Sequence, residues 1–370
     1  MLTFRKHARK RLATAVASIL ALSAIAASAQ VSPTQIDAIF TSLKSSKAPG
    51  AAVLVIQNGK PAFHRGYGVT DLRTLRPIDE KTNFRLASFT KQFTATCIML
   101  LVHDGKLHYN DHLTDIFPEF PAYGRSITIR NLLNHTAGLP DYEDILTQQY
   151  PNTPDDKIPQ IHDAGVLKLL EQQSAGLFPA GSKWQYSNSG YVVLAMIVEK
   201  FSGKPFGQFL HERIFAPLHM DHTLAYEKGK NEISHRAYGH TNDKDSWHET
   251  DRSSTSATLG DGGIYSSIDD LAKWDRALRE HTLLSESEMQ PSVTKFPDSL
   301  TVNYGFGWFL DPYKGHKRIW HDGESIGFKT TIQRFPDDNL SVIVFANRTD
   351  INPEELALKV ADLYLESKNK

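Results

Sequence analysis

The sequence predicts an α+β protein: one antiparallel sheet drawn from both ends of the chain, flanked by N- and C-terminal helices, with a mainly helical stretch inserted between them. Three observations predict it. Two strand-like runs, AAVLVIQ (51–57) and KPAFHRGYG (60–68), are joined by Asn58-Gly59, the strongest short hairpin signal. Strand signals then recede, and return at YGFGWFL (304–310), KRIW (317–320), FKTTIQRF (328–335) and LSVIVFA (340–346). The chain closes on a helix with Asn352 as cap, Pro353 at its first position, and Glu354 and Glu355 in its first turn.

Residues 1–29 carry Arg5, Lys6, Arg9, Lys10 and Arg11, then an apolar run from Leu12 to Ala26, then Ala27-Ser28-Ala29. That pattern is a secretory signal peptide cut after Ala29, and its apolar run is shorter than the ~20 residues of a membrane span. The expected localisation is secreted or periplasmic. No later stretch is long enough to span a membrane, and the only cysteine, Cys97, excludes an internal disulfide. Removing the five basic residues lowers the formal charge from -1 to -6, and no basic patch invites nucleic acid.

A mature chain of about 340 residues exceeds the usual single-domain size, so two lobes around one cleft are expected. Residues 32–85 and 261–370 would form the sheet-bearing α/β lobe, and 86–260 the mainly helical lobe, with the active site between them. A short helix from Pro33 to Ser45 precedes the hairpin. The run SFTKQFTATCIMLLV (88–102) places Phe89, Phe93 and Leu100 on one stripe before Gly105, which predicts a helix. Further helices are expected at Val166–Gln173, Gly190–Phe201 and Phe206–Phe215.

At the start of the 88–102 helix, Ser88 and Lys91 stand three residues apart on one face, a hydroxyl beside a possible base. A serine in the first turn also meets unpaired N–H groups and the positive dipole end, which stabilise developing negative charge. Ser-x-x-Lys by itself occurs by chance in many chains. Two partners follow: Tyr186-Ser187-Asn188, in a polar turn before an apolar helix, and His321-Asp322-Gly323, between KRIW and FKTTIQRF.

Gly323-Glu324-Ser325-Ile326-Gly327 matches the G-x-S-x-G nucleophile elbow, and the sequence argues against it twice. FKTTIQRF alternates and turns at Pro336-Asp337-Asp338-Asn339 into LSVIVFA, a hairpin rather than the helix an elbow requires. No histidine follows His321 to complete a triad. Ser325 is expected to be a strand-edge residue near the site.

Together, Ser88-x-x-Lys91, Tyr186-x-Asn188 and His321-x-Gly323 resemble the three motifs of serine β-lactamases and penicillin-binding proteins. The resemblance covers nearly all of the chain after residue 32, and LLNHTAGLPDY (132–142) and GDGGIYSSIDDLAKW (260–274) extend it. It is nearest to the branch holding class C β-lactamases, D-alanyl-D-alanine carboxypeptidases, D-aminopeptidases and β-lactamase-like esterases. It implies the β-lactamase/D,D-peptidase-like fold. His321 stands where true class C lactamases have lysine, which leaves peptidase or esterase chemistry open.

The resemblance implies an exported serine hydrolase acting through a Ser88 acyl-enzyme on an amide or ester: a D-amino-acid peptide, an ester or a β-lactam. Substrates would be small molecules or peptidoglycan-derived peptides, with no cofactor. A free lysine leaves only ~1 in 2,500 neutral at pH 7, so Lys91 is a base only if its surroundings favour the amine. A Tyr186 phenolate would need a cation beside it, and Lys91 is the obvious one. The pair would take the Ser88 proton, and Tyr186 would protonate the leaving group or activate the deacylating water. Asn188 would orient the substrate carbonyl or the lysine, and His321 would polarise the site or receive a substrate carboxylate. The N–H groups of Ser88 and Glu324 would form the oxyanion hole, with Gly323 permitting close backbone approach.

Two other classes of function share part of this pattern. His219-x-x-His222 and the His103, His108, His112 group have loosely ligand-like spacing, but H-E-x-x-H and cysteine-containing zinc patterns are absent, so no metal is expected. A penicillin-binding or sensor module that acylates without turnover would use the same motif residues. No feature of the sequence fixes the oligomeric state.

Overall fold

The computed structural model describes residues 31–244, 246–295 and 303–367; the expected signal peptide lies outside them. Helix α1 (Pro33–Ile39) starts at a Ser32 capping box with Gln35 and ends sooner than expected, followed by a 3-10 turn at Thr41–Leu43. Strands β1 (Ala51–Gln57) and β2 (Lys60–Tyr67) form the expected hairpin, with Asn58 and Gly59 both at positive φ, 51° and 76°, as a type I′ turn requires. Helices α2 (Lys91–His103), α3 (Asn188–Ser202) and α4 (Ile268–Glu280) are the longest of the middle of the chain. Strands β3 (Ile319–Ser325), β4 (Phe328–Phe335) and β5 (Leu340–Ala346) and helix α5 (Pro353–Ser367) complete the fold.

The five strands form one antiparallel sheet in the order β2-β1-β5-β4-β3. Its central strands are buried on both faces, which is why AAVLVIQ and LSVIVFA read as unbroken apolar runs. Ala51, Val53, Val55, Val342 and Val344 pack with Ile36, Phe40, Val360 and Leu365 of the terminal helices. Ala52, Leu54, Ile56, Ile343 and Phe345 join the larger core built around α2 and α3. Helix α4 is pinned to the sheet through Asp275, which accepts from Arg334 Nε (3.0 Å) and Ser341 Oγ (2.7 Å).

The expected strand at 304–310 is not one. The run makes only isolated bridges, Tyr304 with Phe309 and Phe309 with Trp320, around a turn at Gly307 (φ 77°). A side chain there would lie 2.6 Å from the Gln92 backbone, so contact with α2 sets the conformation against the local preference of the aromatics. KRIW likewise does not end before the motif: β3 runs from Ile319 through His321 and Gly323 to Ser325. Within 206–215 the helix stops at Leu210 and a π turn follows at His211–Phe215. The mainly helical stretch also contains a hairpin, His240–Asp243 with Ser246–Glu249, and one strand of a small sheet formed by Leu224–Ala225, Phe84–Arg85 and Ile264–Ser266.

Candidate active site

Ser88 sits in a 3-10 turn, Ala87–Thr90, that feeds directly into α2, rather than in the first α-helical turn. The residue before it, Ala87, is held at φ 50°, a left-handed conformation that costs a non-glycine residue about 1 kcal/mol. The turn is clamped from both sides: Leu86 N–H donates to the Ile264 carbonyl (2.8 Å), and Thr330 Oγ1 donates to the Leu86 carbonyl (2.7 Å).

Lys91 is fully buried. Its Nζ lies 3.0 Å from Ser88 Oγ, 2.8 Å from Asn188 Oδ1 and 3.0 Å from the Asp261 carbonyl oxygen. These three oxygens suit either protonation state. As an ammonium, Lys91 donates to all three; as an amine, it donates to Asn188 and Asp261 and accepts the Ser88 proton on its lone pair. The geometry is that of a base poised on a serine hydroxyl.

Tyr186 reaches the same place by a different contact from a shared hydrogen bond: Lys91 Nζ stands 4.8 Å from its ring centroid, a cation–π distance. Ser187 caps α3 by accepting from Gly190 N–H (3.1 Å), which makes Asn188 the first helical residue and directs it at Lys91. Asn188 Nδ2 faces Glu143 Oε1 at 3.4 Å. Burial pushes the Glu143 carboxyl up to about 7, with Asp141 and Asp261 adding to the effect.

His321 is 2% exposed, and burial followed by the Lys91 charge lowers it to about 3. It is therefore neutral, and its tautomer is fixed. Nδ1 lies 2.6 Å from the Asp322 carbonyl, which can only accept, so Nδ1 carries the hydrogen and Nε2 accepts from Tyr304 Oη at 2.9 Å. Buried, neutral and with both nitrogens engaged, it has no charge to receive a substrate carboxylate, contrary to the expectation.

Gly323 answers a different approach from the one expected. A β-carbon there would meet Leu86 O at 2.0 Å, Thr330 Oγ1 at 2.4 Å and Phe89 N at 3.1 Å, so the glycine lets β3 close on the Ser88 turn. β3 is the open edge of the sheet. Trp320 directs both its backbone groups away from β4, to Phe309 (2.8 and 3.1 Å). Alternation then turns the Glu324 N–H to that same side, away from β4. The Glu324 side chain is exposed and pairs with Lys329 at 3.4 Å. Ser325 ends β3 beside the turn at Gly327 (φ 74°), so no elbow forms there.

The site includes residues the motif reading did not single out. Asp261 supplies a main-chain oxygen to Lys91 and accepts from Tyr142 Oη (2.8 Å). His135, buried and kept neutral by desolvation, accepts Ser187 N–H on Nδ1 (3.1 Å) and packs against Tyr186 and Tyr304, with centroids 4.4 and 4.5 Å apart. Both lie in stretches that extend the resemblance, 260–274 and 132–142, which was the available signal. Tyr304 had none, because its segment reads as a strand.

Residues 36–365 match the family model described as Beta-lactamase, and the chain belongs to that family. Penicillin-binding protein 4* of Bacillus subtilis (strain 168) is 33% identical over 340 residues, 88% of this chain and 74% of that protein. The octameric penicillin-binding protein homologue from Pyrococcus abyssi superposes with a TM-score of 0.78 at 24% identity, covering 91% of this chain and 78% of that one. The D-amino acid amidase from Ochrobactrum anthropi SV3, complexed with L-phenylalanine amide, gives a TM-score of 0.74 at 25% identity, covering 91% and 98%. The fold is thus that of β-lactamases and penicillin-binding proteins. Among the described residues no helix is long and apolar enough to cross a membrane.

Proposed function

We propose that this protein is an exported serine hydrolase that cleaves an amide or ester, with D-amino-acid amides, peptides and esters as its substrate class, through an acyl-enzyme on Ser88. The observation that carries the reading is Lys91 Nζ at 3.0 Å from Ser88 Oγ, beside β3, the edge strand of the sheet. The amidase relative supports the choice of substrate class.

Ser88 Oγ attacks the carbonyl carbon while its proton passes to the Lys91/Tyr186 pair. The carbonyl oxygen, now carrying the negative charge, rests on the N–H groups of Ser88 and Glu324, each worth about 3 kcal/mol of barrier. Tyr186 returns the proton to the leaving nitrogen or oxygen as the carbonyl re-forms. Water then repeats the sequence on the ester and frees Ser88. Asn188 holds Lys91 on line, and His321 fixes β3 through Tyr304. Substrate enters between the sheet-bearing lobe and the helical lobe.

The test is a panel of p-nitrophenyl esters, nitrocefin, D-alanyl peptides and D-phenylalanine amide, with Ser88→Ala as the blank. Turnover of D-amino-acid substrates that the blank lacks supports the reading. A folded Ser88→Ala enzyme with normal turnover overturns it, and stable fluorescent-penicillin labelling without turnover of anything in the panel indicates a binding module instead.

A further inference from the structure

We propose that a second cavity, lined by the strand that leads into Ser88, binds a small anion bearing carboxylate or phosphate groups. The cavity measures about 390 Å³ and is lined by four cationic side chains, Arg85, Lys228, Arg236 and Arg252, against two carboxylates, Asp251 and Glu227. Both carboxylates are already committed. Asp251 pairs with Arg236, and Glu227 pairs with Lys230 at 2.5 Å. Among the described residues no carboxylate stands within ion-pair distance of Arg85, Lys228 or Arg252.

Arg85 is the decisive member, because it is only 4% exposed. Its guanidinium donates to the Ser256 carbonyl (3.0 Å) and lies 5.9 Å from the Tyr265 ring centroid. Its Nε, like that of Arg236, is buried with no acceptor among the described residues. Asp251 acts on Arg85 only at longer range, and a buried guanidinium with no carboxylate in direct contact is costly, so a chain that keeps one at a cavity wall has built half of a recognition site. Arg252 donates to the carbonyls of Asp156 and Ile158, which holds it at the cavity mouth without neutralising it.

The chemistry of the occupant follows. Guanidinium groups present paired N–H donors that match the two oxygens of a carboxylate or phosphate, and the lysine adds charge without geometry. An occupant with two anionic groups, or one phosphate, balances the unpaired cations; a neutral or cationic one does not. It would also rest against Ser256, in the segment whose far end, Asp261, holds Lys91. The proposal does not depend on the acyl-transfer reading.

Isothermal titration of the mature protein with inorganic phosphate and, separately, with succinate, at ionic strength fixed with sodium chloride, tests it. Saturable one-site binding of at least one anion is expected, and the tighter of the two identifies whether the natural occupant is phosphorylated or a carboxylate. Arg252→Gln and Lys228→Gln, both at exposed residues, should each weaken binding roughly tenfold, the worth of one charge-assisted contact. Arg85→Lys keeps the charge, loses the fork, and should weaken it at least as much; its circular dichroism spectrum shows whether it folds, and if it does not, the two surface variants decide. Absence of saturable binding by both anions, or equal binding in the folded variants, overturns the proposal.

Discussion

Gly323 and Leu86 touch backbone to backbone: a β-carbon on Gly323 would stand 2.0 Å from the Leu86 carbonyl oxygen. That contact joins the sheet edge to the turn that presents Ser88, and it places the two backbone stretches expected to bind the developing oxyanion side by side. Gly323→Ala must push β3 and the turn apart. The expected result is a loss of about 1–3 kcal/mol in stability from overpacking and about a hundredfold in kcat from misplacement of roughly an ångström. Thermal unfolding and steady-state kinetics check it; wild-type kcat in a folded variant would show that this spacing is not used.

Lys91 separates the roles of charge and chemistry. Lys91→Met keeps the stem within the core and removes the nitrogen, leaving the Asp261 carbonyl and Asn188 Oδ1 without their donor. Acylation should slow by about 10²–10⁴, the usual worth of a general base. Stability should change by about 1–3 kcal/mol, the cost of leaving the buried Asp261 carbonyl unsatisfied, since Asn188 is only half-buried. Intact-mass measurement of acyl-enzyme formation over time reads the first, denaturant unfolding the second. Acylation at the wild-type rate would remove Lys91 from the mechanism.

Where structure is local, the sequence made it legible. Asn58-Gly59 forces its hairpin by φ alone, and Asn352 caps α5 by accepting from Glu355 N–H at 3.2 Å. The motif residues Ser88, Lys91, Asn188 and Tyr186 could be named because each contributes a side chain of distinct chemistry. What stayed hidden depends on tertiary contact. The oxygen of Asp261 that holds Lys91 is main chain and has no letter of its own. Tyr304 lies in an aromatic run whose strand-like composition is overruled by Gly307 turning against Gln92. Gly323 could be read as a point of close approach, but not that Leu86 was what it approached.

Ser325 offers a control on the alternative chemistry. It closes β3 and pairs in register with Phe328 across a two-residue turn, so no helix presents its hydroxyl and no histidine follows it in the chain. Ser325→Ala should retain turnover within about twofold, since the backbone of β3 is unchanged and substitutions that touch no core, cap or buried polar network are usually worth under about 0.5 kcal/mol. Loss of acyl-enzyme formation in this variant, with Ser88 intact, would revive the elbow.

His321 should write itself into the pH dependence of stability. In the folded protein it is lowered to about 3, by burial first and the Lys91 charge second, whereas in the unfolded chain it takes up a proton near its ordinary value of 6.5. Between those values the unfolded state binds the extra proton, so stability is full above about 6.5 and is lost as pH falls toward 3, at about 1.4 kcal/mol per pH unit for one such group. His135, also held below its ordinary value by burial, acts in the same direction, while buried Asp163, raised to about 7, acts in the opposite one over pH 4 to 7. The comparison that isolates His321 is therefore His321→Asn against wild type, unfolded by denaturant at pH 4, 5, 6 and 7. The variant should be less stable at pH 7 and should close part of that gap at each step down. The nitrogen NMR signals of His321 in the wild type should show a neutral ring with hydrogen on Nδ1 throughout. A gap that stays constant with pH, or a ring that protonates near 6.5, would mean that Tyr304 and Asp322 do not hold the imidazole as described.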